Sequence, residues 1–192
     1  MRGGKETASL PKQLDEVAPA PDPRERLSAL MKAHGDGVYT YCMRMVDDSA
    51  LASDLLQQVF EQAYRDLETL RDERQARPWL FAIAHHRALD ALKAERRRVA
   101  HVSDELEALE SIESEEPLLS ERVEATELSL ALAQCIRALG VHARTAVLLR
   151  FKEGMSYEQM TGICGEKWET LRGRVMRSLP VLRRCLEGKE VL

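Results

Sequence analysis

The chain has 192 residues, of which 31% are charged, 44% hydrophobic and only 5% aromatic, with a formal net charge of −4 at pH 7. That balance suits one ordinary domain or two small ones and excludes collagen-like, membrane-embedded and wholly disordered classes. The longest aliphatic run, Ala146 to Leu149, is far too short to span a bilayer, so no membrane insertion is expected.

Residues 1–23 hold Pro11, Pro19, Pro21 and Pro23 without sustained periodicity and predict a mobile leader. The opening MRGGKETASLPKQ has no apolar core, so it is not a secretory signal, and a cytoplasmic location is expected. There the four cysteines (Cys42, Cys135, Cys164 and Cys185) should stay reduced as small buried hydrophobes. With no CxxC pair among them, neither a zinc site nor a disulfide framework is indicated.

From Pro23 the pattern turns helical. Leu27, Leu30, Met31, Val38, Tyr41, Cys42 and Met45 recur at three- and four-residue steps, marking one helix or a helix pair weakened by Gly35 and Gly37. After Asp47 and Asp48, a second helix carries Leu55, Leu56, Val59, Phe60, Ala63, Tyr64 and Leu67. The polar stretch Arg71 to Arg77 precedes Pro78, which suits a first helical turn. A third helix then buries Leu80, Ile83, Ala84, Ala88, Ala91 and Leu92 and runs into Arg96, Arg97 and Arg98.

Charge divides the rest. Residues 99–127 carry ten carboxylates against Arg122 alone and read as an extended acidic linker. Residues 128–192 carry eleven basic groups against six acidic ones, an asymmetry that suggests nucleic-acid contact. Leu128, Leu132, Cys135, Ile136 and Leu139 form a helix ending at Gly140, and Ala143 to Arg150 form the next. No segment alternates long enough to predict a strand. The fold class is therefore all-α: a bundle over 24–98, a linker over 99–127 and a second bundle over 128–192.

The last quarter carries the sharpest local signal. Ser156-Tyr-Glu-Gln159 fits a capping box, Gly165 allows a sharp turn, and a longer helix starts near Lys167, the outline of a helix-turn-helix. Trp168, Leu171, Val175, Leu179 and Leu182 fall on one face of that helix. Thr170, Gly173, Arg174 and Arg177 fall opposite, with Glu169 at the edge, as a reader of the major groove requires. A surface helix with a solvated basic face is the alternative. Gly173 lets the backbone approach a partner closely, or is a neutral substitution. Pro180 predicts a kink or an end.

Two other constellations were weighed. His85, His86 and Asp90 share one helix, but no second His/Asp cluster completes a catalytic metal site. Trp79 and Phe81 serve either as core or as a stacking platform for unpaired bases. No catalytic residue, metal or cofactor is indicated.

Taken in order, Ala52 to Phe60 (ASDLLQQVF), Arg77 to Ala84 (RPWLFAIA), Ala88 to Leu92 (ALDAL), Arg144 to Phe151 (RTAVLLRF), Glu153 to Gln159 (EGMSYEQ) and Glu169 to Arg174 (ETLRGR) resemble the extracytoplasmic-function sigma factors of bacteria. The resemblance covers about residues 24–98 and 128–192. It implies an alternative sigma factor, not an enzyme, that binds core RNA polymerase, directs it to promoters and helps melt them. The helix with Asp54, Leu55, Leu56, Gln57 and Gln58 is implied to dock on a coiled coil of the largest polymerase subunit. The loop bearing Arg71, Arg74 and Arg77, with the helix from Trp79, is implied to capture the melted minus-ten strand. His85 and His86 stand where the family commonly has an Arg-Asn pair, and Lys93, Arg96, Arg97 and Arg98 are implied to hold phosphates. Lys167, Glu169, Thr170, Arg172, Gly173, Arg174 and Arg177 are implied to read the minus-thirty-five element. The linker is implied to thread the polymerase's RNA path, and an anti-sigma factor is a further implied partner. The residues alone leave open a two-domain helix-turn-helix regulator, with 24–98 as a sensor or dimerisation bundle.

Overall fold

The computed structural model describes residues 22–105 and 127–189, so the expected leader and most of the expected linker lie outside the described residues. Within them the chain forms seven α-helices and no strand. Helix α1 (Pro23–Val46) begins where the Asp22 carboxylate accepts a 2.9 Å bond from the Arg24 N–H, with Pro23 in the first turn. It is one helix rather than a pair and runs through both glycines. Leu30, Val38, Tyr41, Cys42 and Met45 keep one buried face continuous across them, which outweighs about 1 kcal/mol of helix propensity per glycine.

Asp47 closes α1 in the left-handed region at φ 58°, a conformation aspartate tolerates better than most residues. Asp48 then caps α2 (Ser49–Arg65), accepting from the Leu51 N–H at 2.8 Å. Two short 3-10 turns, Leu67–Thr69 and Glu73–Gln75, lead into the long α3 (Ala76–Glu105). Arg26 stitches these turns to α1 by donating to the Leu67 and Leu70 carbonyls and pairing with Glu73. Helix α3 continues past Arg98, where an extended linker was expected. Ala, Glu and Arg favour helix, and no breaker falls between Arg98 and Glu105.

The second unit comprises α4 (Glu127–Arg137), α5 (Val141–Val147), a π turn at Leu148–Lys152, α6 (Tyr157–Cys164) and α7 (Trp168–Glu187). The capping box forms: Ser156 Oγ accepts from the Gln159 N–H at 3.2 Å, and Gln159 Oε1 accepts from the Ser156 N–H at 2.9 Å. Gly165 turns the chain at φ 67°. Pro180 does not end α7, which continues to Glu187. Beyond the exposed proline, Leu182 and Leu186 keep the helix packed. Trp168 and Leu179 correct the expected apolar face, because both are exposed, Trp168 by 50%.

The cysteine expectation is corrected too. Cys135 and Cys185 are joined in a disulfide that ties α4 to the end of α7, leaving Cys42 and Cys164 free. Fifty residues separate the pair, and each sits on an apolar helical stripe that reads as core by itself.

The two helical units are packed together. Helix α6 lies along α3, and Leu148, Leu149, Met155, Met160 and Ile163 join Val38, Leu55, Leu80 and Phe81 in one continuous core. A smaller cluster under α4 gathers Ala131, Cys135, Leu139, Val147, Leu182 and Leu186. Among the described residues no helix is long and apolar enough to cross a membrane.

A methyl group added at Gly35 would meet nothing within 4 Å. Gly35→Ala should therefore raise stability by about 0.5–1 kcal/mol, read as a higher denaturant midpoint. A lower midpoint would show that α1 needs glycine's freedom there.

Candidate polymerase and nucleic-acid interfaces

Helix α2 divides its two adjacent leucines between inside and outside. Leu55 is 2% exposed and packs inward, whereas Leu56 lines an open groove between α1 and α2. The groove, about 480 Å³, is walled by Leu27, Met31, Phe60 and Tyr64 and rimmed by Ser53, Gln57 and Glu61. Asp54, Gln57 and Gln58 are exposed beside it, with Gln57 donating to Glu61 at 2.8 Å. The structure thus brings Asp54, Leu56 and Gln57 to one apolar surface with a polar edge. Sequence reasoning missed Leu27 and Met31, which read simply as the buried face of α1.

The loop before α3 presents Arg71 and Arg74 to solvent, Arg74 in a two-pronged bond to Asp72. That arginine holds the Asp72 carboxyl below the usual carboxylate range. Arg77 is engaged differently. Its guanidinium donates to Glu153 Oε2 and to the Glu153 carbonyl, both at 2.6 Å, and lies 5.4 Å from the Phe81 ring centre. Glu153 is only 6% exposed, so this ion pair spans the seam between the units and is sealed on the carboxylate side. Trp79 is half-buried and Phe81 fully buried, which places Phe81 in the core rather than on a stacking platform.

His85 turns inward, 3% exposed, with Nδ1 3.1 Å from the Tyr41 hydroxyl. Burial raises the Tyr41 pKa, so the phenol stays protonated. Burial first, and then the neighbouring His86 and His142, push His85 down to about 4. His86 is exposed and bonds the Ala82 carbonyl. Beyond it Lys93, Arg96, Arg97 and Arg98 are exposed along α3, Lys93 against Asp90 at 3.5 Å and Arg98 against Glu95. Among the described residues no three metal-ligating groups converge.

In the helix-turn-helix, Lys167, Glu169, Thr170, Arg172 and Arg177 are all exposed near the start of α7. Arg174 is half-buried and paired with Glu166 across the turn. Gly173 has a local role: an added Cβ would sit 3.2 Å from the Arg177 guanidinium, which lies back along the helix there. The outward face is therefore short and polar at its centre, with Arg172 and Arg177 at its margins.

The sigma-70 region 2 family model matches residues 30–98, the unit that holds the α1–α2 groove and α3. The RNA polymerase sigma-H factor of Pseudomonas aeruginosa is 33% identical over 155 residues, covering 76% of this chain and 78% of that protein. The extracytoplasmic-function sigma factor SigL of Mycobacterium tuberculosis is 25% identical, covering 84% and 89%. This chain belongs to the extracytoplasmic-function sigma factor family. A sigma factor solved with its anti-sigma factor, RpoE with NepR from Bartonella quintana, superposes with a TM-score of 0.61 at 21% identity. That alignment covers 85% of this chain and 96% of the other, and it shows a shared fold.

The lowered pKa of His85 gives this sigma factor a specific acid sensitivity. Between about pH 6.5 and about pH 4 an unfolded chain binds a proton at His85 that the folded chain refuses. Stability is therefore fully present above this window and falls as pH drops through it, by roughly 3 kcal/mol in all. A His85→Gln variant should lose markedly less between pH 7 and pH 4.5 in denaturant titrations. Equal acid losses in both proteins would place the sensitivity elsewhere.

Proposed function

We propose that this alternative sigma factor binds core RNA polymerase through the α1–α2 groove, carries it to specific promoters and helps open them, working in the cytoplasm. One asymmetry supports the reading best. The groove beside Asp54, Leu56 and Gln57 stands open, while one face of α3, the proposed reader of the minus-ten element, is covered by α6 and its Arg77 is committed to Glu153. A protein built this way meets polymerase first and DNA afterwards. Arg71, Arg74, Trp79 and His86 then face the melted strand, with Lys93 and Arg96 to Arg98 on its phosphates.

On this reading, Lys167, Glu169, Thr170, Arg172, Gly173 and Arg177 form the duplex-reading surface, and Arg174 joins it only on releasing Glu166. Arginine and short polar side chains on one helical face suit base edges, while the flanking cations suit phosphates. His85 contributes indirectly, by fixing α3 on Tyr41. An anti-sigma factor would favour the closed arrangement, in keeping with the neighbour RpoE having been solved with NepR. The polymerase performs the chemistry, and the sigma factor supplies no catalytic group.

The deciding experiment adds pure protein to core polymerase and a promoter library and measures specific transcripts. Promoter-selective RNA is expected; duplex binding without it would point to a conventional regulator. Asp54→Lys should lower core affinity about tenfold or more while leaving helical circular dichroism unchanged. Unaltered core binding by that variant would move the docking surface off α2.

A further inference from the structure

We infer that Cys135 and Cys185 form a thiol–disulfide exchange site for low-molecular-weight disulfides, whose oxidation locks α4 onto α7 and holds the two helical units closed. The inference rests on the function proposed above, which places the protein where thiols are kept reduced. In such a compartment a protein disulfide is usually transient and redox-sensing rather than structural. The pair is placed for reaction: the Cα atoms lie 5.9 Å apart, within the span a disulfide bridges without backbone movement. Cys185 is half-buried, whereas Cys135 is 2% exposed, so an external disulfide reaches Cys185 first.

A second tie lies beside the pair: Lys189, one turn past Cys185, donates at 2.7 Å to Gln134, the neighbour of Cys135. The other two cysteines differ. Burial pushes both Cys42 and Cys164 up to about 12, so they remain protonated at neutral pH.

The exchange balances in two steps. The Cys185 thiolate attacks one sulfur of RSSR, forming a mixed disulfide and expelling RS⁻, which takes up the proton that Cys185 released. The Cys135 thiolate then attacks the Cys185 sulfur, closing the intrachain bond and expelling a second thiolate, protonated in turn. The protein dithiol is oxidised by two electrons, and RSSR is reduced to two RSH.

Helix α4 is the element this bond controls. Its contacts beneath are the small cluster of Ala131, Leu139, Val147, Leu182 and Leu186, and its own Leu128, Leu130 and Leu132 remain exposed. A helix held by so few apolar contacts opens readily once untied. It also carries Arg137, which pairs with Asp47 at the end of α1. On the neighbouring α5, Arg144 donates to the Met45 carbonyl of α1 at 2.7 Å and to the Arg137 and Leu139 carbonyls behind it. Fixing α4 therefore fixes one end of the seam between the units, and releasing it frees that end.

The test equilibrates the full chain in glutathione buffers of graded oxidation, caps free thiols with N-ethylmaleimide and counts them by intact mass. One transition removing two of the four thiols is expected, mapping to Cys135–Cys185. Hydrogen exchange in α4 and on the covered face of α3 should be slower in the oxidised form. Transcription with core polymerase should be lower by about fivefold or more. Cys185→Ser, and Cys135→Ala as a second variant, should abolish all three responses. Four free thiols at every glutathione ratio, equal exchange in both forms, or slower exchange with equal transcription would each overturn the lock. Redox-dependent exchange with no transcription from either form would support the lock and overturn the sigma-factor reading instead.

Discussion

The Arg77–Glu153 pair clasps the two helical units together, and the proposed function asks the same arginine to leave it. Closed, it gives Glu153 the only kind of environment in which a buried carboxylate is tolerable, with Arg77 bonding both its side chain and its own carbonyl. Losing Arg77 would leave the buried Glu153 carboxylate without its cation, at a cost softened by the solvent that reaches the 40% exposed Arg77 side chain. Partial opening is therefore the expensive state. On the proposed reading, either the pair is made and the units are closed, or they separate far enough for water to reach Glu153 and for Arg77 to meet phosphate. A seam built on such a pair favours two discrete arrangements over a continuum.

Size explains why closure exists at all. A unit of 60–80 residues buries a smaller fraction of its surface than one of 150, so each bundle alone is marginal. Packing α6 against α3 merges the two apolar faces into one core that runs from Leu30 to Val175. Gly37 marks how close the elements come: a Cβ there would stand 3.7 Å from Phe81 and 3.8 Å from Glu153. Polar contacts frame the apolar ones at both ends, with Tyr41 and His85 near the middle and Arg144 reaching Met45 at the edge.

Periodicity and capping residues made the helical elements legible, because both are local. Asp48, the Ser156–Gln159 box and Gly165 each act within four residues, so their consequences can be read from the string itself. The partition of Leu55 and Leu56 followed from helical geometry, one in and one out. What stayed hidden was the pairing of residues far apart in the chain. Nothing near Glu153 announces Arg77, 76 residues earlier, and nothing near Cys135 announces Cys185. The exposure of Trp168 was hidden for the same reason. An aromatic at the first position of α7 fits the apolar angle, yet Trp168 stays exposed while Leu171, nearly one turn on, is fully buried. His85 gave a partial signal: adjacent helical positions point about 100° apart, so the two histidines need not share one environment, and Tyr41 receives the inward one.

On the proposed reading, opening requires free energy from outside the chain, and the order in which partners engage follows from where it is available. DNA cannot by itself supply the first instalment: the cations along α3 and on α7 are already exposed, so parting the units adds Arg77 and little else to what it can bind. Polymerase can, because the α1–α2 groove is already exposed and lies on surface that closure leaves alone. A ligand shifts an equilibrium only by its differential affinity for the two states. Binding to the groove alone, equal in both states, would change nothing. The second unit must therefore also gain contacts on polymerase that it lacks when closed, and the apolar side chains left exposed on it, Leu128, Leu130, Met176 and Val181, offer the surface for them. On the proposed reading, parting the units frees Arg77 for the melted strand, while the outward face of α7 is already exposed in the closed arrangement.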